Sequence, residues 1–152
     1  MSASQRLADA GITLPEVVAP VGSYVPAVRH GEFISTSGQL PFRDGTLLAT
    51  GIVGDTVTAD EAAACARQAA LNAIAAAADA AGGIDNIVSV VRVVGYVASA
   101  ADFGAQPTVM NGASNLMTEV FGDAGRHIRS AVGVAALPLG APVEVEITVA
   151  VR

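Results

Sequence analysis

Two residues near the C-terminus, Arg129 and Glu144, have the types and spacing to handle a small organic acid. A guanidinium offers paired N–H donors in a plane that matches a carboxylate, and it stays charged at any ordinary pH. A carboxyl beside such a guest can give or take a proton. A small carboxylate is the natural guest of the pair. The bland reading of the same residues is an ion pair from Arg129 to Glu144 or Glu146 across neighbouring strands. Glu144 also reads as a solvated or inter-subunit charge, and Glu146 as structural.

Strands must position these groups. After Arg129, residues 130–137 are small and β-branched, as a half-buried strand requires, and Leu137-Pro138-Leu139-Gly140-Ala141-Pro142 breaks the run. From Val143 the alternation is strict: Val143, Val145, Ile147, Val149 and Val151 point one way, Glu144, Glu146, Thr148 and Ala150 the other. The first set is core, and the second faces water, a ligand or another subunit.

Upstream, Tyr24–Arg29 and Glu32–Ser37 flank His30-Gly31 and predict a hairpin. Arg43-Asp44-Gly45 is a second turn, with a short strand over 46–49. Thr58-Ala59-Asp60-Glu61 has the spacing of a capping box, so a helix starts there and runs to about Ala81, before Gly82-Gly83. Its many alanines let it lie close on a sheet. Residues 87–98 are apolar on both faces except Arg92, which predicts a central strand covered on both sides. Val109, Ala113, Leu116, Met117 and Val120 trace a second amphipathic helix ending at Gly122. Asn111 and Ser114 are expected to open it, either as caps or as ligand contacts. Residues 1–13 read as a helical lead-in capped by Ser2 or Ser4 and anchored by Leu7, Ala10 and Ile12. The sum is one α+β domain over 1–152, a sandwich of a mixed sheet with two helices on one face.

Composition excludes several functions. The basic residues are eight arginines with no lysine, so Schiff-base chemistry and a Walker-type phosphate grip are ruled out. A net charge of −6 opposes strong nucleic-acid binding, and the arginines are scattered except for Arg126 and Arg129. No apolar run approaches the roughly 20 residues of a membrane span, and no secretory leader is evident, so a cytoplasmic location is expected. Cys65, alone and at an alanine-like helical position, reads as buried and inert; with two widely spaced histidines it supports no metal site, and no cofactor is expected. A mean hydropathy of +0.53 with few charges predicts that part of the surface is covered by other copies of the chain.

The pattern Arg129-Ser130, Leu137-Pro138, Val143-Glu144-Val145-Glu146 resembles the C-terminal signature of the YjgF/RidA family, also called the endoribonuclease L-PSP family. Pro20-Val21-Gly22-Ser23-Tyr24-Val25 resembles its GPY segment, and Thr36-Ser37-Gly38-Gln39-Leu40-Pro41 its SGQ-x-P strand end. Asn111-Gly112-Ala113-Ser114 and the Gly125-Arg126-His127 approach to Arg129 mark a divergent branch. The resemblance implies a chorismate-mutase-like fold, a homotrimer and ligand clefts between subunits. It implies that Arg129 clamps the substrate carboxylate, that Glu144 handles the attacking water, that Tyr24 closes the cleft, and that Ser37 and Gly38 meet polar atoms of the substrate. Taken alone, Tyr24 is an interface aromatic and Ser-Gly a common turn pair. His127 is either a titratable neighbour of the ligand or a surface histidine. The family's deaminases carry a cysteine two residues after the arginine; here it is Ala131. The implied activity is hydrolysis of 2-imino acids to 2-oxo acids and ammonia. Binding of a small carboxylate without turnover is the alternative, and ribonuclease activity ranks below both.

Overall fold

A computed structural model of the chain describes residues 1–152. Strands β1 (Ala27–His30) and β2 (Phe33–Thr36) form the first hairpin, with Gly31 at φ +65° turning the chain. Each is shorter than the apolar pattern suggested, although the ladder continues by one bond from Ser37 N to the Pro26 carbonyl. Strands β3 (Phe42–Arg43) and β4 (Thr46–Leu47) make a small ribbon around Asp44 (φ 50°) and Gly45 (φ 80°), the two left-handed residues of a tight hairpin turn.

Helix α1 (Ala3–Ala10) is capped by Ser2 in a box with Gln5, and its Leu7 is buried while Ala10 is exposed. Ser4 is no cap; its amide and hydroxyl bind the Asp85 carboxylate at 2.9 and 2.6 Å. Helix α2 (Ala59–Ala81) begins with the reciprocal Thr58–Glu61 box and ends on Gly82 at φ +77°. Strand β5 (Ile87–Ala98), helix α3 (Gln106–Phe121) and strand β6 (Ile128–Val134) follow as one crossover unit, so β5 and β6 pair in parallel. Strand β7 (Val143–Val151) alternates buried and half-buried residues along its whole length.

The main sheet has the order β1-β2-β7-β5-β6. All of its pairings but β5–β6 are antiparallel, and α2 and α3 lie on one face. Small residues set the depth of this packing. A Cβ on Gly112 of α3 would come within 2.1 Å of the Ala63 carbonyl of α2, so the helices touch backbone to backbone. No helix is long and apolar enough to cross a membrane.

β5 is central: Val90, Val93 and Val97 are buried under the helices, while Arg92, Val94 and Tyr96 are half-buried on the opposite, open face. The structure corrects two expectations. α3 begins at Gln106, with Pro107 in its first turn, so Asn111 and Ser114 stand in mid-helix and cap nothing. β6 and β7 are not neighbours, because β5 lies between them.

Candidate functional site

The eight residues singled out from the sequence fall into two groups. The first gathers on α3 and β6. Arg129 is in register with the buried Val93 and so leans to the helix side of the sheet. There it meets one stripe of α3 at i, i+4 and i+7: Nη2 donates to the Pro107 carbonyl at 3.3 Å, and Nη1 donates to Asn111 Oδ1 at 3.0 Å and to Ser114 Oγ at 3.1 Å. His127, two residues before Arg129, reaches Ser114 Oγ through Nε2 at 2.9 Å and the Gly125 carbonyl through Nδ1 at 2.6 Å.

The carbonyl can only accept, so Nδ1 carries the proton; in the neutral ring Nε2 then accepts from the Ser114 hydroxyl, whose oxygen accepts from Arg129. The effect of this chain is to hold the guanidinium still. Nε and one Nη2 hydrogen of Arg129 are left for a guest.

The second group lies around Glu144. Glu144 is in register with Tyr96 on the open face, half-buried, and its carboxyl has no protein hydrogen-bond partner. Burial, and then the charge of Glu146, push that carboxyl above the usual glutamate range. Gly38 makes room for it, since a Cβ there would lie 2.3 Å from Glu144 Oε1. Gly38 and Tyr24 share the lining of a small hollow of about 30 Å³, enough for one water, and the Tyr24 ring is 49% exposed. Ser37 Oγ donates to the Val25 carbonyl at 2.6 Å, so its hydroxyl proton is engaged while its oxygen can still accept.

Within one protomer the guanidinium and the acid do not meet in one hollow. In a protomer they are separated by β5 and face opposite sides of the sheet, because the registers Val93–Arg129 and Tyr96–Glu144 differ by three residues along β5. The bland alternative fails for the same reason. The two ion pairs of the structure are Arg67–Glu119 and Arg126–Asp123, and neither involves Arg129, Glu144 or Glu146.

Two participants had gone unnoticed in the sequence. Tyr96 stands beside Glu144 and donates its hydroxyl to Glu146, which pushes the phenol up to about 12. The pairing was foreshadowed by the Glu-x-Glu alternation of β7 beside the one tyrosine of β5. The second is the Pro107 carbonyl, visible only once α3 is known to start one turn earlier. Cys65 is buried, as expected, and burial pushes its thiol up. No cluster of three or more histidine, cysteine, aspartate or glutamate residues is arranged to hold a metal.

Comparison with known proteins agrees over nearly the whole length. The family model described as "YjgF/chorismate mutase-like, putative endoribonuclease" matches residues 4–149. Protein TCP17 of Trypanosoma cruzi is 44% identical over 143 residues, which is 93% of this chain and 88% of that protein. The crystal structure of protein Atu1372 of Agrobacterium tumefaciens, described as of unknown function, is 40% identical with a TM-score of 0.90, covering 99% of this chain and 92% of that one. A Shewanella oneidensis structure named as a putative endoribonuclease is 36% identical with a TM-score of 0.95, covering 99% and 100%. The mixed sheet with its two packed helices is therefore the chorismate-mutase-like fold, and the chain belongs to the YjgF/chorismate mutase-like family.

Proposed function

We propose that this protein hydrolyses small 2-imino acids to 2-oxo acids and ammonia. The observation that carries the reading is Glu144: a half-buried carboxyl without a partner, raised above the ordinary range, lying against Gly38, whose missing side chain gives it room. Such a group can protonate the imine nitrogen, and as the carboxylate it can then take a proton from the water that adds to the same carbon. The resulting carbinolamine returns a proton to nitrogen, the C–N bond breaks, and ammonia leaves with its electron pair. Arg129, immobilised by α3, holds the substrate carboxylate through Nε and Nη2.

Because the two groups face opposite sides of one protomer, this reading builds the site between copies of the chain, with the homotrimer of the family resemblance as the assembly. The open face suits such an association: Ile128 is 61% exposed and Val132 46%, both in the edge strand β6 and in register with Arg92 and Tyr96.

The separation of the two groups also supports a second reading, retention of a small carboxylate at Arg129 without turnover. Ammonia release from freshly generated 2-iminopropionate, together with calorimetry using 2-oxobutyrate, separates the two. Hydrolysis is expected to fall about a hundredfold in Glu144→Gln, with 2-oxobutyrate still bound, and binding is expected to vanish in Arg129→Ala. Release no faster than buffer with binding intact leaves the second reading, and absence of both removes the pair. Cleavage of RNA by the pure protein, lost in Arg129→Ala or His127→Ala, would instead favour the activity in the family's alternative name.

A further inference from the structure

A second immobilised arginine stands far from both groups. Arg43, at the end of β3, donates from Nε to Gln68 Oε1 at 3.2 Å; Gln68 Nε2 donates to Asn72 Oδ1 at 3.1 Å; and Asn72 Nδ2 donates to the carbonyls of Leu40 at 3.0 Å and Phe42 at 2.9 Å. Gln68 is 6% exposed and Asn72 1%. A buried pair of amides in an alanine-rich helix costs folding energy unless every polar atom is paired, and here the pairing terminates on a guanidinium. Asn72 ties α2 to the ribbon by two carbonyls, and Gln68 links Asn72 to Arg43 and so aims the guanidinium. The outer nitrogens Nη1 and Nη2 meet no protein acceptor, and no carboxylate lies at ion-pair distance.

Arg43 lines a hollow of about 580 Å³ between residues 12–15, the ribbon and the outer sides of α2 and α3. That is the size of an ordinary small-molecule site. Half of its lining is aliphatic, with Ile12, Leu14, Leu48, Leu71 and Leu116 among these residues, and no residue of the Arg129 or Glu144 groups lines it. The other arginine present, Arg67, is neutralised by Glu119 at 2.8 Å.

We infer that this hollow is a separate ligand site for a monocarboxylate with an aliphatic body, whose acid group takes Nη1 and Nη2 of Arg43. One uncompensated cation matches one negative charge. Asp44, on the rim, disfavours polyanions such as phosphate esters, and the aliphatic walls reward a hydrocarbon chain over a polar one.

Calorimetric titration of the whole protein with hexanoate is the test, run beside hexan-1-ol and inorganic phosphate. Saturable hexanoate binding is expected, weakened at least about tenfold in Arg43→Gln, with hexan-1-ol and phosphate both at least about tenfold weaker than hexanoate. No saturable heat up to about 10 mM hexanoate would overturn the inference. So would binding that survives Arg43→Gln undiminished. Thermal melting of Arg43→Gln near the wild-type temperature shows that the variant is folded, so that lost binding reports the site.

Discussion

The two faces of the main sheet are built by opposite rules. On the helix side, every second residue of β7 and the matching residues of β5 are buried aliphatics, met by α2 through a run of alanines and by α3 through Met110. Gly95 admits Met110 there, since a Cβ would come within 2.1 Å of its sulfur. On the open side, a polar row crosses the sheet: His30 to Ser35, Ser35 to Thr148, the Arg92–Thr148 register pair, and Arg92 Nη2 to Ser130 at 3.0 Å. Apolar Val94, Ile128 and Val132 are interspersed with it, and Glu144 is left without a partner. The comparison teaches that close packing is confined to one face, whereas the groups able to do chemistry are divided, Glu144 on the open face and Arg129 at the edge strand of the helix face. The buried middle of the helix side has no space to spare, while the open side keeps Glu144 under-satisfied, as a site that must bind something does.

The difference predicts unequal tolerance. Gly112→Val pushes a branched side chain into the Ala63 carbonyl and should cost about 3 kcal/mol or more, read as a fall in urea midpoint. An unchanged midpoint would mean that the helices are not pinned by backbone contact. A matched pair sharpens the comparison: Val93→Thr buries a hydroxyl among aliphatics and should cost about 2 kcal/mol, whereas Val132→Thr in dilute solution should stay within about 0.5 kcal/mol. Equal losses would refute the confinement of close packing to one face.

The smallest effect concerns pH. The fold holds the Glu144 proton more tightly than the unfolded chain does, so its contribution is fully present below the ordinary glutamate pKa and is lost as pH rises through the higher folded value. Glu144→Gln should flatten that decline in denaturation midpoints above the ordinary carboxylate range. A decline of the same size in the variant would assign it to another group.

Much of the frame was legible because its signals are local. The capping box at Thr58, the left-handed glycine at 82, the Asp44-Gly45 turn and the alternation of β7 each depend on residues a few positions apart. The start of α3 was not legible, because Ala105 offers no side-chain cap and only Pro107 marks the first turn. That displacement turned Asn111 and Ser114 from caps into the mid-helix hydrogen-bond partners of Arg129. Tyr96 escaped notice because its partner, Glu146, is 50 residues away.

The order of amino acids alone determined which residues are able to do chemistry, a guanidinium at 129 and a carboxyl at 144, and which segments become strand or helix, since propensity, caps and periodicity act over a single turn or pleat. Only the tertiary structure decided that β5 lies between their strands and turns them to opposite faces. Strand order and register are set by long-range packing of the aliphatic face against α2 and α3, and a three-residue offset along β5 reverses the side to which a neighbouring side chain points.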